Sequence, residues 1–119
     1  MTAIKMTTQA LNLLGYAENN GNTQLTQRVM NRALSLVNLV YTDLSRVCEA
    51  DNKPITTLSD EIKLPEKAFD VFACGLASYI AKSENDDNNQ YFWSQEYQIR
   101  RTKLSRITSY KDVLPIPEG

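Results

Sequence analysis

Residues 24–50 read QLTQRVMNRALSLVNLVYTDLSRVCEA, and this stretch decides the fold. Apolar side chains recur along it at three- and four-residue spacing, which predicts an amphipathic helix. On a helical projection the apolar arc covers more than half of the circumference, wider than on an ordinary surface helix. At about 1.5 Å per residue the helix would be roughly 40 Å long, as long as a domain of this size is wide. We therefore predict a central helix that packs against at least two partners.

Three further helices are predicted around the central one. The first runs from about Thr7 to Tyr16, where Gly15 can end it. The third runs from Pro65 to about Lys82 and is apolar nearly all round, so we expect other helices to enclose it and to approach its small residues closely. The fourth spans about Asn89 to Ile107. The acidic turn at 83–88 lacks the spacing of a calcium-binding loop and is expected to cap this last helix.

Two segments do not follow a helical pattern. Residues 55–58 and 61–64 alternate or carry β-branched side chains on either side of Ser59-Asp60, which predicts either a short β-hairpin or an extended loop. The tail from Thr108 to Gly119 contains two prolines among aliphatic residues and is predicted to be extended, as a frayed terminus or as an arm laid on a neighbour. The predicted fold class is mainly α. It is a four-helix bundle-like domain over residues 1–107, with a long central helix, a possible short β-hairpin and an extended C-terminal arm over residues 108–119.

Composition narrows the class of protein. The 119 residues suffice for one modest core, and 42% of them are apolar, as in folded globular proteins. The formal net charge of −1 gives no general attraction to nucleic acid or to an anionic membrane. No run approaches the roughly 18 apolar residues that span a bilayer, and the first residues lack the order of a secretion signal. We expect a protein that is made and used in a cytoplasm and has no membrane partner.

The residues that usually carry catalysis are missing from the chain. It contains no histidine, which excludes histidine-dependent triads and a histidine metal ligand. Its four glycines form no phosphate-binding motif. Cys48 and Cys74 both fall in apolar helical patterns and are expected to be buried free thiols. We therefore predict no enzymatic activity, no catalytic or cofactor-binding residues, no cofactor and no metal site.

The predicted fourth helix combines an apolar arc with charges. Glu96, Arg100 and Lys103 project inside that arc, with Glu96 and Arg100 four residues apart in the favourable order for an ion pair. Two interpretations remain open: long side chains that reach past the edge of the core, or a face that meets another subunit and uses charge pairs to fix register. The arc itself consists of Phe92, Trp93, Tyr97, Ile99, Leu104 and Ile107.

The same helix holds the main cluster of basic residues. Arg100, Arg101, Lys103 and Arg106 spread over more than half of the helix circumference instead of forming one stripe. Cations near a helix C-terminus are also favoured by the helix dipole alone. The cluster is therefore a weak candidate for reading DNA, although Arg101 and Arg106 could contact DNA loosely through its phosphates.

The order of these segments resembles the small head-tail connector, or head-completion adaptor, proteins of tailed bacteriophages. The resemblance covers roughly residues 7 to 107, and its individual motifs are degenerate, so it depends on their order and spacing. It is carried by ALNLLGY at 10–16, the long helix from Leu25 to Val47, SDEIKLPEKA at 59–68, GLASYIAKSE at 75–84, and the aromatic and basic helix from Tyr91 to Arg101.

The resemblance implies a structural virion protein and not an enzyme. Such proteins form rings, typically of about twelve or thirteen copies, that stack below the capsid portal, receive the next neck or tail-completion protein and help retain or conduct packaged DNA. It implies a place in the virion neck, and in the host cytoplasm during assembly. The runner-up is a small helical DNA-binding regulator of phage origin, which would need a helix-turn-helix with a compact basic recognition helix.

Unsatisfied apolar surface is the physical argument for such an assembly. Four features are expected to need neighbouring surfaces to cover them. They are the all-round apolar third helix, the wide arc of the central helix, the charges inside the arc of the fourth helix and the proline-rich tail. In a ring, one surface of each copy must complement a different surface of the next. The predicted interface with other copies or with the portal comprises Glu96, Arg100, Lys103, Tyr110, Val113, Leu114 and Ile116.

Overall fold

The computed structural model describes the backbone of residues 1–16 and 23–113, and the side chains of residues 1–16 and 27–108. Within these ranges the chain forms four long helices and no β-strand, which confirms the mainly helical prediction. They are α1 (Ala3–Leu14), α2 (Thr23–Val47), α3 (Phe69–Ser83) and α4 (Asp87–Val113). A short 3-10 turn, Glu66–Ala68, leads into α3. No described helix is both long enough and apolar enough to cross a membrane.

The third helix lies at the centre of the bundle. Residues 71–78, together with Ile80 and Ala81, are buried, and α3 packs against α1, α2 and most extensively α4. Gly75 faces the ring of Tyr97 so closely that an added Cβ would lie 2.6 Å from Tyr97 Cε1. The predictions of an enclosed helix and of close approach at small residues are confirmed. The enclosing helices belong to the same chain, so α3 itself calls for no second copy.

The long central helix also finds its partners within the chain. It contacts α1, α3 and α4, which confirms the prediction of at least two partners. Its largest fully buried side chains on the predicted arc are Val29, Val37, Val40 and Leu44. The helix ends at Val47, three residues before the predicted end.

Of the two alternatives predicted for residues 55–64, the β-hairpin is wrong and the loop is confirmed. The loop pairs with the start of α1: Ala3 N–H donates to Asp60 O at 2.9 Å and Ile62 N–H donates to Met1 O at 2.8 Å. Within the loop, Asp60 N–H donates to Thr57 O at 3.1 Å, which closes a turn and not a strand pair. The side-chain amide of Asn38 accepts from the N–H of Ile55 at 2.8 Å and donates to the carbonyl oxygen of Ile55 at 2.9 Å. Because α1, Asn38 of α2 and the Asp60 carboxylate satisfy these backbone groups, they are not available for a strand ladder. Ile55 and Ile62 are buried as a result.

The structure corrects the predicted bounds of the first and last helices. Helix α1 begins at Ala3 because the Thr2 hydroxyl accepts from the N–H of Lys5, and it ends where Gly15 adopts a left-handed φ of 78°. Helix α4 continues to Val113, so residues 108–113 are helical and not part of an extended arm. The prolines that forbid a helix begin only at Pro115, which explains the extra turns. The remaining arm, 114–119, lies outside the described residues.

The acidic turn between α3 and α4 caps α4, as predicted. The Asp86 carboxylate accepts from the backbone N–H of Asn89 at 3.3 Å and from the Tyr16 hydroxyl at 2.6 Å. Beside it, Glu84 forms ion pairs with Arg28 at 2.6 Å and Arg32 at 3.4 Å. The turn therefore ties α1 and the first half of α2 to the start of α4.

Candidate interaction surface on the fourth helix

Helix α4 divides its predicted apolar arc between two faces. Tyr97 and Leu104 are buried against the bundle. Phe92, Ile99 and Ile107 are 52%, 49% and 52% exposed, respectively. Their spacing of seven and eight residues places these three on one side of the helix, which we call the outer stripe. The described bundle leaves this stripe without a covering partner, so it is an apolar surface that the chain does not cover alone.

A polar cluster fixes the inner face of α4 against α2. The guanidinium of Arg101 donates two hydrogen bonds to the Asp43 carboxylate, at 2.7 and 2.8 Å, and the Tyr97 hydroxyl donates to the same carboxylate. These hydrogen bonds hold the pKa of Asp43 below its usual value, with Arg101 making the largest contribution. Burial and the neighbouring carboxylate raise the pKa of Tyr97, which stays a neutral donor. The rotation of α4 about its axis is thereby set, and with it the direction of the outer stripe.

A groove of about 380 Å³ runs beside the outer stripe, between α4 and the start of α3. Both walls carry apolar and charged groups. The α3 side contributes Lys67, Asp70 and Val71, and the α4 side contributes Glu96, Ile99, Arg100, Lys103, Leu104 and Ile107.

The charges in the groove are partly paired. Arg100 bridges its walls, with Nη1 at 2.7 Å from Asp70 and Nε at 3.2 Å from Glu96. The predicted Glu96–Arg100 pair is thus present. Lys67 and Lys103 form no ion pair within the described part of the chain, so two unpaired ammonium groups stand beside apolar walls.

The end of α4 extends past its neighbours. Helices α3 and α4 are antiparallel, with Asp70 level with Arg100, so the 3-10 turn at Glu66 lies level with about residue 104. Helix α2 ends at Val47, one turn beyond the Asp43 that binds Arg101. Neither helix therefore accompanies the backbone of residues 107–113.

The predicted site residues separate into distinct groups. Glu96, Arg100 and Lys103 come together in the groove. Tyr110 and Val113 lie on the projecting turns of α4, but their side chains, like all of Leu114 and Ile116, fall outside the described residues.

The two cations predicted to touch DNA have different environments. Arg101 is occupied by Asp43, which gives it a role in the fold. Arg106 is exposed and makes no ion pair among the described residues.

Sequence reasoning missed the partners that lie far away in the chain. Asp43 is the one acid within α2, and that isolation was a usable signal for a buried ion pair. No pattern in the neighbouring sequence indicated that Asp70 would pair with Arg100, or that Ile99 would face outward. Both the ion pair and the exposure depend on which side of α4 packs against α3.

Metal binding and thiol chemistry depend on the acidic and cysteine side chains among the described residues. No three acidic or cysteine side chains among them are placed to hold a metal ion. Cys48 and Cys74 are free, and burial raises the pKa of both thiols, which disfavours the reactive thiolate. Comparison of the chain with protein-family models, curated proteins and solved structures gave no match.

Proposed function

We propose that this chain is a structural subunit of a ring that connects the capsid portal to the tail in a tailed bacteriophage. The proposal rests on the resemblance in segment order and on one structural observation, the exposed outer stripe of α4. Phe92, Ile99 and Ile107 are about half exposed and lie on one side of a single helix, whereas the exposed Ile4, Leu13 and Leu39 lie on α1 and α2. Apolar surface that is aligned on one helix, beside a charged groove, is typical of a protein interface.

The arrangement of the bundle supports a scaffold role. The polar cluster at Asp43 and the cap at Asp86 hold α4 at both ends of its packed part, while its outer face and last turns stay accessible. A rigid helix with a free face can be shared between a neighbouring copy and a portal without unfolding. The partners of this proposal are the portal protein, further copies of the chain and the next neck or tail-completion protein.

A contact with packaged DNA is a minor part of the proposal. Arg106 offers an exposed charge, but Arg100 and Arg101 are both engaged in ion pairs within the fold. With two of its four cations engaged in the fold, α4 does not present the compact basic face that a recognition helix needs, which argues against the regulator alternative. Any contact of Arg106 with DNA would be through phosphates and would weaken with salt.

The test is binding to the cognate portal. Purified full-length chain is mixed with portal rings, and co-sedimentation and electron microscopy are used to look for an added ring of density on the portal. We expect the wild-type chain to add such a ring, and Phe92→Asp to weaken binding at least tenfold. Leu39→Asp is the matched control, because Leu39 is also 52% exposed but lies on α2, away from the outer stripe.

Two results would contradict the proposal. One is a folded wild-type chain that shows no affinity for the portal at micromolar concentration. The other is equal loss of binding in the Phe92 and Leu39 variants, which would mean that the stripe has no special part in assembly.

A further inference from the structure

We infer that the groove between α3 and α4 binds the C-terminal segment 114–117 of a second copy of this chain. The inference deepens the proposed function and rests on it only for the idea that copies assemble. It names which surface of one copy meets which segment of the next. The groove is an open site whose walls carry both apolar and charged groups, and the segment Leu114-Pro115-Ile116-Pro117 is apolar and follows α4 in the sequence.

Charge complementarity favours this occupant. Lys67 and Lys103 stand at the groove without an ion-pair partner among the described residues, while its acids, Asp70 and Glu96, are both taken by Arg100. The apolar segment is flanked by acids, Asp112 before it and Glu118 after it. Lys67 and Lys103 lie level with each other on the two walls, so an acid at one end of an apolar segment can meet both free cations while its aliphatic residues lie along the apolar part of the groove.

Chain length keeps the copy's own Ile116 out of the far part of the groove. Along α4, Lys103 lies ten residues before Val113, which is about 15 Å of helix. From Val113 the chain to Ile116 spans at most about 11 Å, even when fully extended. The Cα of Ile116 can therefore reach the level of Ile107 in its own copy, but not that of Lys103 or Ile99. For Ile116 to fill the part of the groove beside Glu96, Ile99 and Lys103, it must come from another molecule.

The contact would join two different surfaces of neighbouring copies. The segment leaves the projecting end of α4, whereas the groove lies beside the packed part of the helix. Donor and acceptor are different surfaces, so the contact is head-to-tail and repeats from copy to copy. Repetition with a constant rotation closes a ring or continues as a filament.

A complementation experiment tests this directly with full-length chains. Ile116→Asp disables the segment but leaves the groove intact, and Ile99→Asp disables the groove but leaves the segment intact. Sedimentation velocity at rising concentration should show wild-type and Leu39→Asp chains associating beyond dimers. Each single variant should stay monomeric, with association weakened at least tenfold. An equimolar mixture of the two variants should form dimers and nothing larger, since one good groove meets one good segment.

Several outcomes would overturn the inference. A wild-type chain that stays monomeric up to about 0.5 mM would do so, because such a contact would be too weak to hold copies together. So would a mixture that remains monomeric, or a variant that associates like the wild type. Far-UV circular dichroism confirms that each variant is folded, which Ile99→Asp should be because Ile99 is half exposed.

The experiment also separates this inference from the proposed function. Variants that still bind the portal as rings would leave the function standing and remove the groove contact. Variants that form the mixed dimer but do not bind the portal would support the groove contact and contradict the proposed function.

Discussion

Replacing Gly75 by alanine probes the closest packing in the bundle. The new Cβ would lie 2.6 Å from Cε1 and 2.8 Å from Cδ1 of Tyr97, so the ring must move. The ring has little freedom, because its hydroxyl is bound to Asp43 and the side chain is buried. Overpacking of a core typically lowers the free energy of unfolding by about 1–3 kcal/mol, whereas the higher helix propensity of alanine over glycine raises it by about 1 kcal/mol. We expect a net loss of about 1 kcal/mol in the free energy of unfolding.

A second background isolates the ring as the cause. In a Tyr97→Leu chain, most of the atoms that the new Cβ would strike are gone. The same Gly75→Ala change should then stabilise the chain by about 1 kcal/mol, the helix-propensity gain alone. The four chains form a double-mutant cycle, measured by urea unfolding followed by circular dichroism. If Gly75→Ala stabilised the wild-type chain as much as the Tyr97→Leu chain, the argument from close approach would be refuted.

Two further predictions concern carboxylates with lowered pKa. Asp43→Asn should lower the free energy of unfolding by about 1–3 kcal/mol at neutral pH, because it breaks the charged hydrogen bonds to Arg101. The folded-state pKa of Asp43 lies below the unfolded value of about 3.9, so its contribution is present above about pH 4 and is lost as pH falls through the folded-state pKa. Urea midpoints of the wild-type and variant chains should therefore converge in acid, and a gap that stays constant would contradict this assignment. Asp60→Ala removes the acceptor for the backbone N–H groups of Thr56 and Thr57 and should loosen the loop. The loosening should appear as faster amide exchange in residues 55–62, and unchanged exchange there would count against the loop description.

The sequence by itself determined the helices and which of them would be enclosed. Period and composition are local properties, so the all-round apolar pattern of α3 and the wide arc of α2 could be read without knowledge of their neighbours. Gly15 and the acidic turn at Asp86 are also local signals, and both terminate or begin helices as predicted. The pair of Glu96 and Arg100 follows from helix geometry alone.

Tertiary structure decided everything that depends on a partner from another segment. Residues 55–64 have the pattern of a hairpin, but their carbonyl oxygens accept hydrogen bonds from the N–H groups of α1 and from the side chain of Asn38. A helical projection of α4 cannot show which part of its arc meets α3. That choice is made by Asp43 and Gly75, distant in the chain, and it leaves Phe92, Ile99 and Ile107 on the outside. Periodicity records how apolar a face is, whereas exposure depends on which other face is near enough to cover it.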